Sequence, residues 1–192
     1  MPLGSTVTQN GVNFSIFSRH ATRVRLLLFR KPTDQQPSYT IELVHRTGDI
    51  WHVHVAGLKH GQLYLYQVDG PYEPSQGHRF NFNRALLDPY ARAITGEGRY
   101  DLREAMGYSR RSSRKDLSFS QQPADFASIP KCIAYGDDDF DWKGDRPLNR
   151  PLSETIIYET HIRSLTCHPS AKAKYPGTYH GVIEQIPYFL DL

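Results

Sequence analysis

Cysteine is scarce in this chain: its 192 residues hold two, Cys132 and Cys167, in different segments and at no metal-ligand spacing. That excludes a disulfide-stapled secreted scaffold and a zinc ribbon. Both are expected to be free thiols of a reducing compartment, which places the protein in the cytoplasm. Long apolar runs are also missing, and the mean hydropathy is −0.56. No transmembrane span is expected, and Met1-Pro2-Leu3-Gly4-Ser5 lacks the charged-then-apolar pattern of a secretory signal. Charge of one sign is lacking too, since 23 Lys and Arg face 20 Asp and Glu for a net +3. Arg99, Arg103, Arg110, Arg111, Arg114 and Lys115 do cluster in a Ser-rich stretch. No aromatic platform accompanies them, so they read as a solvated linker, and neither nucleic acid nor membrane is an expected partner. No internal repeat is present.

The first half carries period-two alternation. Val12, Phe14 and Ile16 alternate with Asn13 and Ser15, and Val24, Leu26 and Leu28 alternate with Arg23 and Arg25. Tyr39, Ile41 and Leu43 follow, then Trp51, Val53 and Val55 with His52 and His54 opposite. Residues 63–68 are apolar or aromatic on both faces, which predicts a central strand covered twice. Turn signals at Asn10-Gly11, Lys31-Pro32, Thr47-Gly48-Asp49 and His60-Gly61 separate these runs. Short strands at this spacing predict an immunoglobulin-like β-sandwich over residues 1–95. From residue 96 to 152 the pattern weakens into Ser, Pro, Arg and Asp. That is longer than the roughly 12–15 residues usual for structureless loops, so a linker packed on the folded parts is expected. A chain ending near Gly96 should then be at least as soluble as the whole.

Residues 153–192 read differently. Ile156 and Ile157 form a short β-branched run at 155–160, and Thr178 then offers an N-cap hydroxyl. Val182, Ile183, Ile186, Phe189 and Leu190 recur at helical spacing, interrupted by Pro187. Strand, polar loop and helix make one β/α unit, the start of a (β/α)8 barrel left incomplete within these residues. One such unit leaves ladder groups and an apolar stripe without partners.

Three segments carry a resemblance. Pro151-Leu152-Ser153-Glu154-Thr155-Ile156-Ile157-Tyr158-Glu159-Thr160-His161-Ile162-Arg163, followed by Gly177-Thr178-Tyr179-His180-Gly181-Val182-Ile183-Glu184, resembles the first barrel strand and helix of bacterial glycogen debranching enzymes and isoamylases, members of the α-amylase superfamily. Residues 63–72, Gly77-His78-Arg79-Phe80-Asn81 and Leu87-Asp88-Pro89-Tyr90-Ala91 resemble the same enzymes. So do Pro130-Lys131-Cys132 and Phe140-Asp141-Trp142. One departure is Ser164-Leu165-Thr166, where the family reads Gly-Phe-Thr. The resemblance implies a carbohydrate-binding-module-like sandwich before a catalytic barrel. It implies a parent that hydrolyses α-1,6 branch linkages of glycogen or limit dextrin without a cofactor. A stand-alone glucan-binding module, a truncated product without function, and the N-terminal part of a branching or trehalose-forming relative are the alternatives.

Retaining glycoside hydrolysis needs two carboxylates about 5–5.5 Å apart. The family places them in later barrel segments patterned Asp-x-x-x-Asn-His, Gly-x-Arg-x-Asp, a catalytic Glu and Asn-His-Asp, none of which occurs here, so no catalytic residue is expected. Gly77-His78-Arg79-Phe80-Asn81 is the nearest lookalike, but Asn81 stands where the nucleophile is needed and an amide cannot replace it. It reads instead as part of the seam between sandwich and barrel. Glu159 and His161, at the end of the expected barrel strand, are candidates for the active-site floor. Asp137, Asp138, Asp139 and Asp141 start like a calcium loop, yet Trp142 replaces its Gly and Leu148 its bidentate Glu. His52 and His54 share a strand face without a third ligand in view, so no metal site is expected. Glucose rings pack their apolar faces on aromatics. Trp51, Tyr64, Tyr66, Tyr72 and Trp142 are therefore the candidates to contact α-glucan, whether glycogen, limit dextrin or maltooligosaccharides. Trp51 points with Val53 and Val55, toward the core; Tyr72 lies in a turn and is expected to be accessible. The missing barrel is the natural packing partner.

Overall fold

Alternation of apolar and polar residues produces two antiparallel sheets. The computed structural model describes residues 2–96, 101, 106–109, 111–136 and 141–192. Among them, β1 (Gly4–Thr8), β2 (Gly11–Phe17), β5 (His45–Thr47) and β6 (Ile50–Ala56) form one sheet in the order β1-β2-β6-β5. The second sheet holds β3 (Arg23–Phe29), β4 (Tyr39–Glu42), β7 (Leu63–Asp69), β10 (Ala93–Ile94) and β11 (Cys132–Ile133) in the order β10-β11-β7-β3-β4. A small hairpin pairs β8 (Tyr72–Glu73) with β9 (His78–Arg79). The chain divides into two compact units, residues 1–139 and 140–192, and both sheets lie in the first.

The sandwich core is the sum of the inward halves of the strands. Val12, Phe14 and Ile16 of β2 pack with Val24, Leu26 and Leu28 of β3 and with Tyr64, Tyr66 and Val68 of β7. The opposite face of β7 and β3, carrying Leu63, Leu65, Leu27 and Phe29, is covered by Ala85, Ile129 and Phe126. That second layer explains why β7 is apolar on both faces, as its sequence predicts. Each fully buried large side chain contributes about 1.5–3 kcal/mol.

Strand β11 departs from expectation. The sequence predicts a linker packed on the folded parts over residues 96–152, yet Cys132 and Ile133 go further and insert between β10 and β7, pairing with Tyr64 and Leu63 on one side and with Ile94 and Ala93 on the other. The sandwich therefore draws on sequence well beyond residue 95. Lys131, fully buried, directs its ammonium to the carbonyls of Pro32 at 3.0 Å and Ile129 at 2.7 Å, and also to that of Phe126. It lies 4.9 Å from the ring centre of Phe29. Burial lowers its pKa, and the three carbonyls replace the water that the charge has lost. Next to it, the Cys132 thiol accepts the backbone N–H of Asp88 at 3.2 Å and burial pushes it up to about 12. The Pro130-Lys131-Cys132 and Leu87-Asp88-Pro89-Tyr90 segments thus hold each other.

Residues 140–192 form short helices: α1 (Ile162–Cys167), α2 (Tyr179–Ile183) and α3 (Ile186–Asp191). The strand expected at 155–160 is absent; Ile156 is 98% and Ile157 74% exposed. A parallel strand forms only where a neighbour supplies its ladder, and no strand is described in this unit. Helix α1 occupies what was expected to be polar loop. Thr178 does cap α2, its hydroxyl accepting the Gly181 N–H at 3.2 Å. The apolar stripe splits in two because Pro187 begins α3, where its missing N–H costs nothing, instead of sitting inside one longer helix. Gly181 packs tightly: a Cβ there would lie 2.3 Å from the Tyr175 carbonyl and 2.9 Å from the Thr166 hydroxyl.

Candidate functional site

A cavity of about 630 Å³ opens on the unit of residues 1–139. Its walls come from distant parts of the sequence: Ile16 to His20 at the end of β2 and just after it, Val68 near the end of β7, residues 77–81 around β9, and Leu86, Leu87 and Pro89 before β10. Gly70 brings these loops together, since any Cβ there would meet the Phe80 ring at 2.7 Å and the His20 carbonyl at 2.9 Å. As a result the rings of His20 and His78 stand 4.5 Å apart at the wall.

Residues 106–109 and 111–120 brace one side. Asn81 donates to the carbonyls of Gly107 at 2.6 Å and Ser120 at 3.0 Å, and Arg84 donates to the Ser120 hydroxyl at 2.9 Å. Arg79 pairs with Asp116 at 2.7 Å, while the Tyr72 hydroxyl donates to the Asp116 carbonyl at 2.7 Å. Desolvation, with Asp116 beside it, raises the Tyr72 phenol. On the other side Arg19 pairs with Asp49 at 2.8 Å, and Arg19 holds that carboxyl below its ordinary range. The cavity is thus apolar at its centre and basic at its rim. Among the described residues no carboxylate lines it, so they supply no acid and nucleophile pair there. Phe17, Leu86 and Leu87 around it are 50%, 40% and 37% exposed.

The structure redistributes the residues singled out in the sequence. Tyr66 cannot meet glucan: it is completely buried in the sandwich core, as is Tyr64. Their positions on the inward face of β7 dictate this. Trp51 packs against the core, as its alternation predicts, and its indole N–H donates to the Ser18 carbonyl at 3.0 Å. Tyr72 is half-buried, its hydroxyl committed and its ring set edge-on to Phe119 at 5.1 Å, so the turn does not leave it free. Trp142 is 65% exposed, in the other unit. Glu159 and His161 are exposed and end no strand, because the strand that was to carry them is absent. Gly77-His78-Arg79-Phe80-Asn81 lines the cavity. Asp137, Asp138 and Asp139 of the calcium-like run, and Arg99, Arg103 and Arg110 of the basic cluster, lie outside the described residues. Arg111, Arg114 and Lys115 are exposed. Both cysteines are free thiols, Cys132 buried and Cys167 exposed. No described helix is long and apolar enough to cross a membrane.

Sequence reasoning missed Phe17, His20, Leu86 and Leu87. One signal was available: Phe17 continues the polar face of β2 after Asn13 and Ser15, and a large apolar residue on a polar face breaks the alternation.

Residues 2–91 match the family model of carbohydrate-binding module 48, the isoamylase N-terminal domain. Beyond that domain the chain is similar to glycogen debranching enzymes. It is 41% identical over 179 residues to that of Yersinia pestis bv. Antiqua (strain Angola), covering 93% of this chain and 25% of the relative. With the enzyme of Yersinia enterocolitica the figures are 41% over 182 residues, 94% and 26%. The chain spans about a quarter of the length of the curated relatives it matches. Among solved structures, the catalytic module of the glycogen-degrading pneumococcal virulence factor SpuA, with an inhibitor, superposes with TM-score 0.64 at 20% identity, covering all of this chain and 25% of that one. The pullulanase of Bacillus acidopullulyticus gives 0.61 at 21%, over 94% and 18%. Group B Streptococcus pullulanase with maltotetraose gives 0.59 at 20%, over 98% and 22%. At such identities these likenesses speak for the fold alone.

Proposed function

We propose that this chain is the N-terminal part of an isoamylase-type glycogen debranching enzyme. The whole hydrolyses α-1,6 branch linkages of glycogen or limit dextrin by a retaining double displacement, with no organic cofactor. The reading rests on the 41% identity to debranching enzymes across 93% of the chain. The free exposed thiol of Cys167 suits a reducing compartment, and we place the protein in the cytoplasm.

Within that enzyme the cavity serves as a seat for the catalytic barrel. An apolar centre ringed by the half-exposed Phe17, Leu86 and Leu87 is the surface character of a protein interface. Glucan contact falls to exposed aromatics, of which Trp142 is the foremost. Mixing the chain with a separately produced remainder of a Yersinia debranching enzyme tests the reading, with hydrolysis of limit dextrin as the readout. Neither part is expected to act alone, activity should appear on mixing, and Leu87→Asp should abolish it. Hydrolysis by this chain in isolation would overturn the assignment.

A further inference from the structure

Sequence alone leaves His52 and His54 two residues apart with no third ligand, and the strand register supplies one. His45 lies directly opposite His52 across β5 and β6. Their rings stack with centroids 6.0 Å apart and planes 20° from parallel. His54 follows on the same face of β6, opposite Asn13 of β2. Directly opposed residues have Cβ atoms about 4.5–5.5 Å apart and diagonal ones about 7–8 Å, both within imidazole reach of a shared ion. His45 and His54 are exposed and His52 half-buried.

The described partners of the histidine rings are uncharged. Arg46, the nearest guanidinium in sequence, lies 5.1 Å from the Trp51 ring centre, with the residues of the other face. On the imidazole side the neighbours are hydroxyls: Thr47 Oγ1 is 3.0 Å from His52 Nε2, and Thr8 Oγ1 is 3.5 Å from His54 Nε2. As the side chains stand, no three ligands converge among the described residues. The exposed His45 and His54 side chains change rotamer in picoseconds to nanoseconds and can turn toward the half-buried His52, whose Nε2 would exchange Thr47 for the ion.

We propose that His45 and His52, with His54 turning in as third ligand, bind a divalent cation of the kind that takes imidazole nitrogen at about 2.0–2.1 Å, such as Zn²⁺. Bound there, the ion ties the three-residue edge strand β5 to β6 and steadies that edge of the sandwich. Calorimetric titration of the full chain with Zn²⁺, alongside thermal unfolding with and without the ion, tests this. Saturable binding and a raised Tm are expected. His52→Ala and His45→Asn should each weaken binding about tenfold or more, with His54→Ala weakening it less. The exposed Cys167, next to His168, is the competing ligand, so Cys167→Ser should leave the titration unchanged. Binding that survives both His52→Ala and His45→Asn, binding that vanishes in Cys167→Ser, or no saturable binding at all would each overturn the proposal.

Discussion

The Tyr64 hydroxyl donates a 2.8 Å hydrogen bond to the Asp88 carboxylate inside the sandwich, where both residues are buried. The other carboxylate oxygen accepts the Tyr90 N–H at 2.8 Å. Burial raises the Asp88 pKa despite these two donors. A carboxyl whose folded pKa is raised contributes stability that is complete below its unfolded value, about 3.9, and is lost as pH rises through the folded value. The stability advantage of wild type over Asp88→Asn should therefore shrink as pH rises from about 4, then level off. Urea unfolding at a series of pH values checks this. Asp88→Ala, which strands both donors, should cost about 1–3 kcal/mol for each left unsatisfied.

Lys131→Met should destabilise the sandwich without exposing it. The substitution keeps the buried chain volume but removes the ammonium from the carbonyls of Pro32, Ile129 and Phe126, of which Phe126 keeps the Ile129 N–H. A loss of about 1–3 kcal/mol is expected, read as a lower urea midpoint at unchanged slope.

Gly181→Ala tests the other unit by itself. The added methyl would meet the Tyr175 carbonyl and the Thr166 hydroxyl, which already accepts the Gly177 N–H at 2.8 Å. Overpacking of this kind costs about 1–3 kcal/mol, enough to release the amides of α1 and α2 to hydrogen exchange. The amides of β2, β3 and β7 should keep their protection.

Truncation separates the linker reading from the structure. A chain ending at residue 96 lacks β11, bares the edge of β7 and removes the thiol that receives the Asp88 N–H. It should unfold at lower urea and aggregate more readily than a chain ending at residue 136, contrary to the expectation drawn from composition.

Glucan retention discriminates among the aromatics. In a glycogen-containing gel, Trp142→Ala should lose most of any retardation, equivalent to about tenfold in affinity. Tyr66→Phe, deep in the core, should migrate as wild type. Retardation that Trp142→Ala leaves intact would move the contact elsewhere.

The near-continuous apolar run made β7 legible as a strand covered twice, and period-two alternation made β2, β3 and β6 legible, because each buries one face against the same core. It also explained Trp51 correctly while leaving Tyr66 among the ligand candidates, since an aromatic on an inward face is distinguishable from a platform only once the strand's orientation is known. β11 was illegible: two residues in a Ser- and Pro-rich stretch carry no period, and their strand character comes entirely from β7 and β10. The run at Ile156-Ile157 shows the reverse, a strand composition without a ladder to join. The cavity escaped notice for a third reason, as its walls lie from Phe17 to Gly107 and only the fold assembles them.

The placement of β11 also sets a clock on synthesis. During translation, β1 to β10 are complete by Ile94, yet the sheet's internal slot between β7 and β10 stays vacant until Cys132 and Ile133 have left the ribosome. At roughly 5–20 residues per second, that is a wait of a few seconds with Leu63 and Tyr64 of β7 lacking their β11 partner. A nascent sandwich in that interval is a natural client for a chaperone, and any pause within codons 95–131 would lengthen its exposure.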